Sequence, residues 1–175
     1  MTVLDTSVVI DFLLADGVAA DVEELLAREG TAAAPDLFVF EVLAVLRRDV
    51  SRHMLEPERA RGAIDDLGDL PVELFGTLPL RRRAWELREN LTAADALFVA
   101  LAEHLGEPLA TKDRGLASAA REHARIDARA RPGRVGSATT WCIVASWVEL
   151  RSTWAARSSS SSTASHTPRA LLARS

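Results

Sequence analysis

At 175 residues the chain has room for one α/β domain with a sizeable core, and not comfortably for two. A single cysteine, Cys142, excludes an internal disulfide. The longest strongly apolar stretches, residues 37–46 and 138–148, fall well short of the ~20 residues of a membrane-spanning helix. With no basic segment leading into an apolar run near the start, the expectation is a cytoplasmic protein without a membrane partner. Residues 1–129 carry 24 acids and 15 bases, net −9, whereas residues 130–175 carry one acid and six arginines, net +5. A body this acidic excludes nucleic-acid binding by broad phosphate neutralisation, so any such chemistry must be local and assisted by a cation.

Thr2 to Leu4 reads as a short strand, broken by the polar turn Asp5-Thr6-Ser7, with helix from Val8 to Leu14. Val18, Val22, Leu25 and Leu26 mark a helical face that ends near Gly30. Thr31 to Ala34 reads as a buried strand closed by Pro35. Asp36 is placed to cap a helix from Leu37 to about Val50, and Pro57 opens another to about Leu67. Val72 to Phe75 is the next strand. Pro79 begins a helix carrying Leu80, Trp85 and Leu87 and broken near Asn90-Leu91. Thr92 caps a long helix through Leu105, ended by Gly106. Pro108 to Thr111 reads as a strand, a short helix follows Asp113 to about His123, and Arg125 to Ala128 reads as a last, edge strand.

Short strands alternating with helices predict an α/β fold in three layers, a central mostly parallel sheet flanked by helices, with its site at the carboxyl ends of the strands. That domain is expected to span 1–129. Residues 130–175, with tryptophans at 141, 147 and 154 and serine from 158 to 162, read as a disordered tail.

Four acids carry the chemistry. Glu41 is the only charge in Leu37-Phe-Val-Phe-Glu-Val-Leu-Ala-Val-Leu46, and a helix apolar all round is a buried one. A buried carboxylate needs a cation or a charged partner. An ion pair with an arginine and a metal site both satisfy that. Asp5 directly follows the first strand and Asp113 lies two residues beyond Thr111, so both belong to the same edge of a parallel sheet. Each also fits an ordinary helix cap. Asp95, three residues after Thr92, fits a capping box, although glutamate is the usual acid there. If the four converge, hard oxygen ligands without histidine or cysteine call for Mg²⁺ or Mn²⁺ and argue against zinc. Such an ion would activate water, neutralise a phosphodiester and turn an acidic pocket into a phosphate site. Histidines 53, 104, 123 and 166 show no ligand spacing, and no Gly-x-Gly-x-x-Gly or Walker loop is present. Arg81-Arg82-Arg83 reads as a solvated face. Arg47, Arg48, Lys112 and Arg114 lie beside the acids in sequence, as candidates for phosphate contacts or for an ion pair with Glu41.

The same residues resemble the PIN-domain nucleases, and within them the VapC toxins of type II toxin–antitoxin systems, over roughly residues 2–128. Thr2-Val-Leu-Asp-Thr-Ser-Val-Val-Ile-Asp11 resembles the first acidic motif, and Pro35-Asp-Leu-Phe-Val-Phe-Glu41 the second. The third lies in Ala84 to Glu103 and the fourth in Pro108-Leu-Ala-Thr-Lys-Asp-Arg-Gly-Leu116. The resemblance implies a Mg²⁺-dependent endoribonuclease that cuts structured RNA and is silenced by a VapB-type antitoxin, and it leaves a homodimer open. Part of the antitoxin's seat would be apolar helix before Glu41 and from Val8 to Leu14. Asp5 and Asp95 would be the most direct metal ligands, with Glu41 and Asp113 completing the pocket. Thr6, Thr92 and Thr111 would position water or backbone, and Lys112 and Arg114 would meet phosphate. Two alternatives are a PIN-like module that binds RNA or protein without cutting, and a phosphatase acting through Asp5. The phosphatase reading is disfavoured because the second acid expected two residues on is Ser7.

Overall fold

Five short strands form one sheet in the order β3-β2-β1-β4-β5, and every described pairing is parallel. The strands are β1 (Val3–Leu4), β2 (Ala32–Pro35), β3 (Val72–Phe75), β4 (Leu109–Thr111) and β5 (Ala128–Ala130). The structure, a computed structural model, describes residues 1–17, 19–124 and 128–130. These lie within one compact unit, Met1–Val135, and the expected tail, apart from Ala130, lies outside the described residues. Seven described helices flank the sheet: α1 (Thr6–Leu13), α2 (Ala19–Glu29), α3 (Leu37–Ser51), α4 (Pro57–Gly68), α5 (Arg81–Glu86), α6 (Ala93–Leu105) and α7 (Arg114–His123).

Successive strand residues point to opposite faces, and Val3, Leu4, Ala32, Ala33 and Ala34 are all fully buried. Both faces of the central strands are therefore covered, which makes the three layers. The chain steps outward from β1 to β2 and β3, then returns to lay β4 against the other side of β1, with Val3 opposite Leu109 and Leu4 opposite Ala110. The strand order reverses between β1 and β4, where open parallel sheets bind ligands at their carboxyl ends.

Several expectations shift. The helix buried almost all round is α6, with Ala96, Phe98, Val99, Ala100, Leu101 and Ala102 in the core and contacts to β1, β2 and β4. It ends where Gly106 adopts φ +67°, a left-handed conformation that costs glycine no strain. By contrast α3 buries only Phe38, Val42 and Leu46, a stripe at four-residue spacing, and leaves Phe40 73% and Leu43 40% exposed. Asp36 makes no side-chain cap bond to α3. It has helical backbone angles, and its N–H donates to the Phe75 carbonyl at 2.8 Å, continuing the β2–β3 ladder. α1 begins at Thr6 rather than Val8, because the Asp5 side chain accepts the Ser7 N–H and draws the polar turn into the first helical turn. Pro79 lies in a single 3₁₀ turn, Leu78–Leu80, that precedes the short α5. β5 runs to Ala130 rather than ending at Ala128, so the expected boundary at 129 cuts into an edge strand. Residues 125–127 lie outside the described residues.

Candidate metal centre

Asp5 leaves β1 at its carboxyl end, 7% exposed, and caps α1. Its Oδ2 accepts three donors: the Ser7 N–H at 3.3 Å, the Ser7 hydroxyl in a very short bond, and the Thr111 hydroxyl from the end of β4 at 2.8 Å. Thr111 is itself buried and accepts the Asp113 N–H at 3.0 Å, so one hydroxyl ties together the acids that follow the two central strands. Asp113 caps α7 through Oδ1, which accepts the N–H groups of Gly115 at 2.7 Å and Leu116 at 3.0 Å.

The other two acids reach the same end of the sheet from helices. Glu41, one turn into α3, accepts the Thr6 hydroxyl at 2.7 Å through Oε2. Asp95, in the first turn of α6, accepts the Thr92 hydroxyl at 2.7 Å through Oδ2, while its N–H donates to Thr92 Oγ1 at 3.2 Å. This is the expected capping box, with aspartate in the place of glutamate meeting both the hydroxyl and the backbone of the cap residue. Burial chiefly, and then the charges of Asp5 and Asp95, push the Glu41 carboxyl above its ordinary range. Asp95 is raised in the same way, by burial first and then by Asp5 and Asp113. The four acids thus share one electrostatic neighbourhood, drawn from β1, α3, α6 and the β4–α7 turn.

A scan against protein families matches the PIN domain over residues 2–122. Ribonuclease VapC12 of Mycobacterium tuberculosis (strain CDC 1551 / Oshkosh) is 35% identical over 127 residues, covering 73% of this chain and 98% of that protein. Ribonuclease VapC1 of the same strain is 41% identical over 118 residues, covering 67% and 89%. The chain belongs to the VapC ribonucleases of the PIN-domain family. The fold agrees with that of VapBC2 from Rickettsia felis bound to a promoter DNA fragment, at 15% identity, TM-score 0.56, covering 74% of this chain and 97% of that one. PAE2754 from Pyrobaculum aerophilum aligns with TM-score 0.54 at 22% identity, covering 73% and 81%.

In this VapC-family chain Asp5 and Asp113 cap helices and Asp95 completes a cap, as an ordinary reading of those positions expects. Asp5, Glu41 and Asp113 each engage one carboxylate oxygen in the bonds just described, and the other oxygen has no protein hydrogen bond among the described residues, whereas the Asp95 carboxylate is held by both the hydroxyl and the backbone of Thr92. Among those residues no three acidic, histidine or cysteine side chains form a ready-made coordination shell. A set of hard carboxylate oxygens, with no histidine or cysteine among them, fits Mg²⁺ or Mn²⁺ and does not fit zinc.

Thr6, Thr92 and Thr111 each hold an acid directly, rather than water or backbone alone. None of Arg47, Arg48, Lys112 and Arg114 pairs with Glu41 among the described residues, which removes the ion-pair reading. Arg48 pairs with Asp49, and the Lys112 ammonium meets Asp11 at 2.6 Å. Arg81 and Arg82 are solvated as expected, but Arg83 binds Glu103 and Glu86. Two residues escaped sequence reasoning. Ser7 was legible only as a missing acid, yet it is a partner of Asp5. Asp11, a lone charge in an apolar run, called for a partner by the same burial argument that singled out Glu41.

Proposed function

We propose that this chain is an endoribonuclease toxin of a toxin–antitoxin pair, dependent on Mg²⁺ or Mn²⁺ held among Asp5, Glu41, Asp95 and Asp113. The observation that supports the reading is the pattern of half-committed carboxylates: Asp5, Glu41 and Asp113 each have one oxygen hydrogen-bonded and the other without a protein hydrogen bond among the described residues, beside a partly buried Asp95. Asp5 and Asp95 are taken as the most direct ligands from their match to the family's first and third acidic motifs; burial first, and then the charge of Asp5, raises both Glu41 and Asp95. Once bound, the ion would supply Lewis-acid polarisation of a phosphodiester and an activated water. The protein's own part is orientation: Thr111 sets Asp5 against Asp113, Thr6 sets Glu41, and Thr92 sets Asp95 at the N-terminus of α6. Arg114, exposed beside Asp113, is the candidate for a phosphate contact.

Relatives named as VapC ribonucleases support RNA as substrate, and the VapBC2 neighbour supports an antitoxin partner. Exposed Phe40 and Leu43 on α3 are apolar surface for that partner, and cytoplasmic residence belongs to the same reading. Among the described residues no helix is long and apolar enough to cross a membrane. The non-cutting alternative is separated by calorimetric titration of Mn²⁺ into the metal-free protein. Saturable binding that Asp5→Asn abolishes supports the enzyme, whereas no site-specific binding favours a module that only binds RNA or protein.

A further inference from the structure

Lys112, the only lysine in the chain, lies between Thr111 and Asp113, a place from which its charge would be expected to serve RNA. Its ammonium is paired with an acid of α1 instead, although the side chain stays 43% exposed. The ammonium sits 2.6 Å from Asp11 Oδ1, while its backbone N–H donates to the Ser7 hydroxyl at 3.1 Å. Ser7 and Asp11 are four residues apart on α1 and so share a helix face. Lys112 thus fastens the β4–α7 turn to α1 at two levels, one helical turn apart. Asp11 is only 7% exposed, and its far side is closed as well: a Cβ at Gly17 would stand 1.9 Å from Asp11 Oδ2. Gly17 also has φ +46°, so a side chain there is excluded twice.

We propose that the Asp11–Lys112 pair is a positioning strut for the metal centre. It fixes the spacing between the start of α1, which presents Asp5, and the start of α7, which presents Asp113, and it withdraws the Lys112 charge from RNA contact. This rests on the metal-nuclease reading above. A salt bridge that left the site untouched would not be joined to the Ser7–Asp5 bond through the same residue. Here Lys112 N–H, Ser7 hydroxyl and Asp5 carboxylate form one continuous chain.

The test is Mn²⁺ affinity by calorimetry on the full chain, for wild type, Asp11→Asn, Lys112→Met, the double variant and Lys112→Arg, each confirmed folded by circular dichroism. Asparagine keeps the size of Asp11, and methionine keeps the lysine stem. The strut requires both single variants to bind Mn²⁺ about tenfold more weakly, the usual scale for residues that orient metal ligands. The double variant should be no worse than either single, and arginine should restore affinity. Binding of unfractionated tRNA in EDTA should be unchanged by Lys112→Met. Plain electrostatics gives the opposite pattern: losing a cation beside four acids tightens Mn²⁺ and losing an anion weakens it. Opposite signs for the two variants, unchanged Mn²⁺ affinity, or tRNA binding lost with Lys112→Met would each overturn the strut while leaving the metal site standing. A wild type that binds no Mn²⁺ would overturn both.

Discussion

Replacing Thr111 by valine removes one buried hydroxyl from between two of the four acids with little change in shape. The hydroxyl donates to Asp5 at 2.8 Å and accepts the Asp113 N–H at 3.0 Å, and the residue is 2% exposed. A hydrogen bond to a charged group is worth about 1.5–3 kcal/mol, and stranding a buried N–H costs about 1–3 kcal/mol, the lower end applying to the partly buried Asp113 N–H. Asp5 Oδ2 keeps two other donors from Ser7, which places the first figure at its lower end. The sum is about 2.5 kcal/mol, or roughly 8–12 °C in Tm for a domain of this size. Because the same bond orients two proposed ligands, Mn²⁺ affinity should also fall, by about 10- to 100-fold. Thr111→Ser keeps the hydroxyl, should cost only about 1 kcal/mol for the methyl, and should spare the metal. Denaturant unfolding in EDTA and Mn²⁺ calorimetry measure the two effects. A valine variant that loses under about 0.5 kcal/mol and binds Mn²⁺ like wild type would refute the hub assigned to Thr111.

In metal-free protein, Glu41 and Asp95 carry folded pKa values above their ordinary 4.5 and 3.8, so the folded state binds these protons more tightly than the unfolded chain. Their stabilising contribution is present at acid pH and is lost as pH rises through the raised values. Glu41→Gln and Asp95→Asn, whose amide oxygens still accept from Thr6 and Thr92, should therefore raise Tm in EDTA at pH 7.5. The gain should vanish near pH 4, and both variants should lose the stabilisation that Mn²⁺ gives wild type. Arg83 joins α5 to Glu103 of α6 at 2.5 and 3.0 Å and to the His123 carbonyl at 2.9 Å, away from the acids. Arg83→Met should cost about 1–3 kcal/mol in urea unfolding with kcat unchanged. A stop after Val135 retains β5 and should leave the melting curve and nuclease activity intact, whereas a stop after Asp127 removes the edge strand and should lower Tm.

The strands, the parallel sheet and the caps at Asp5, Thr92 and Asp113 were legible because each rests on local pattern: short apolar runs and capping residues at the ends of elements. What was not legible depends on pairings distant in sequence. Nothing near Thr111 indicates that its hydroxyl reaches back 106 residues to Asp5, or that Lys112 reaches Asp11 rather than a phosphate or Glu41. The burial of α3 was overstated because an apolar sequence shows that a helix has no need of water on any face, not that the fold supplies cover on every face. Phe40 and Leu43 stay exposed, while the comparably apolar α6 lies across three strands. Asp36 was read as a cap from its type and place, but its backbone is engaged by β3, a neighbour that only the tertiary fold brings.

The most direct test of a carboxylate-held divalent ion cutting RNA is cleavage of a mixed tRNA and rRNA pool. The conditions compared are Mg²⁺, EDTA, and Mg²⁺ with folded Asp5→Asn or Asp95→Asn protein. The expected result is a set of discrete cuts that disappear with chelator and with either variant. Discrete cleavage that persists in EDTA or in both variants would contradict the account.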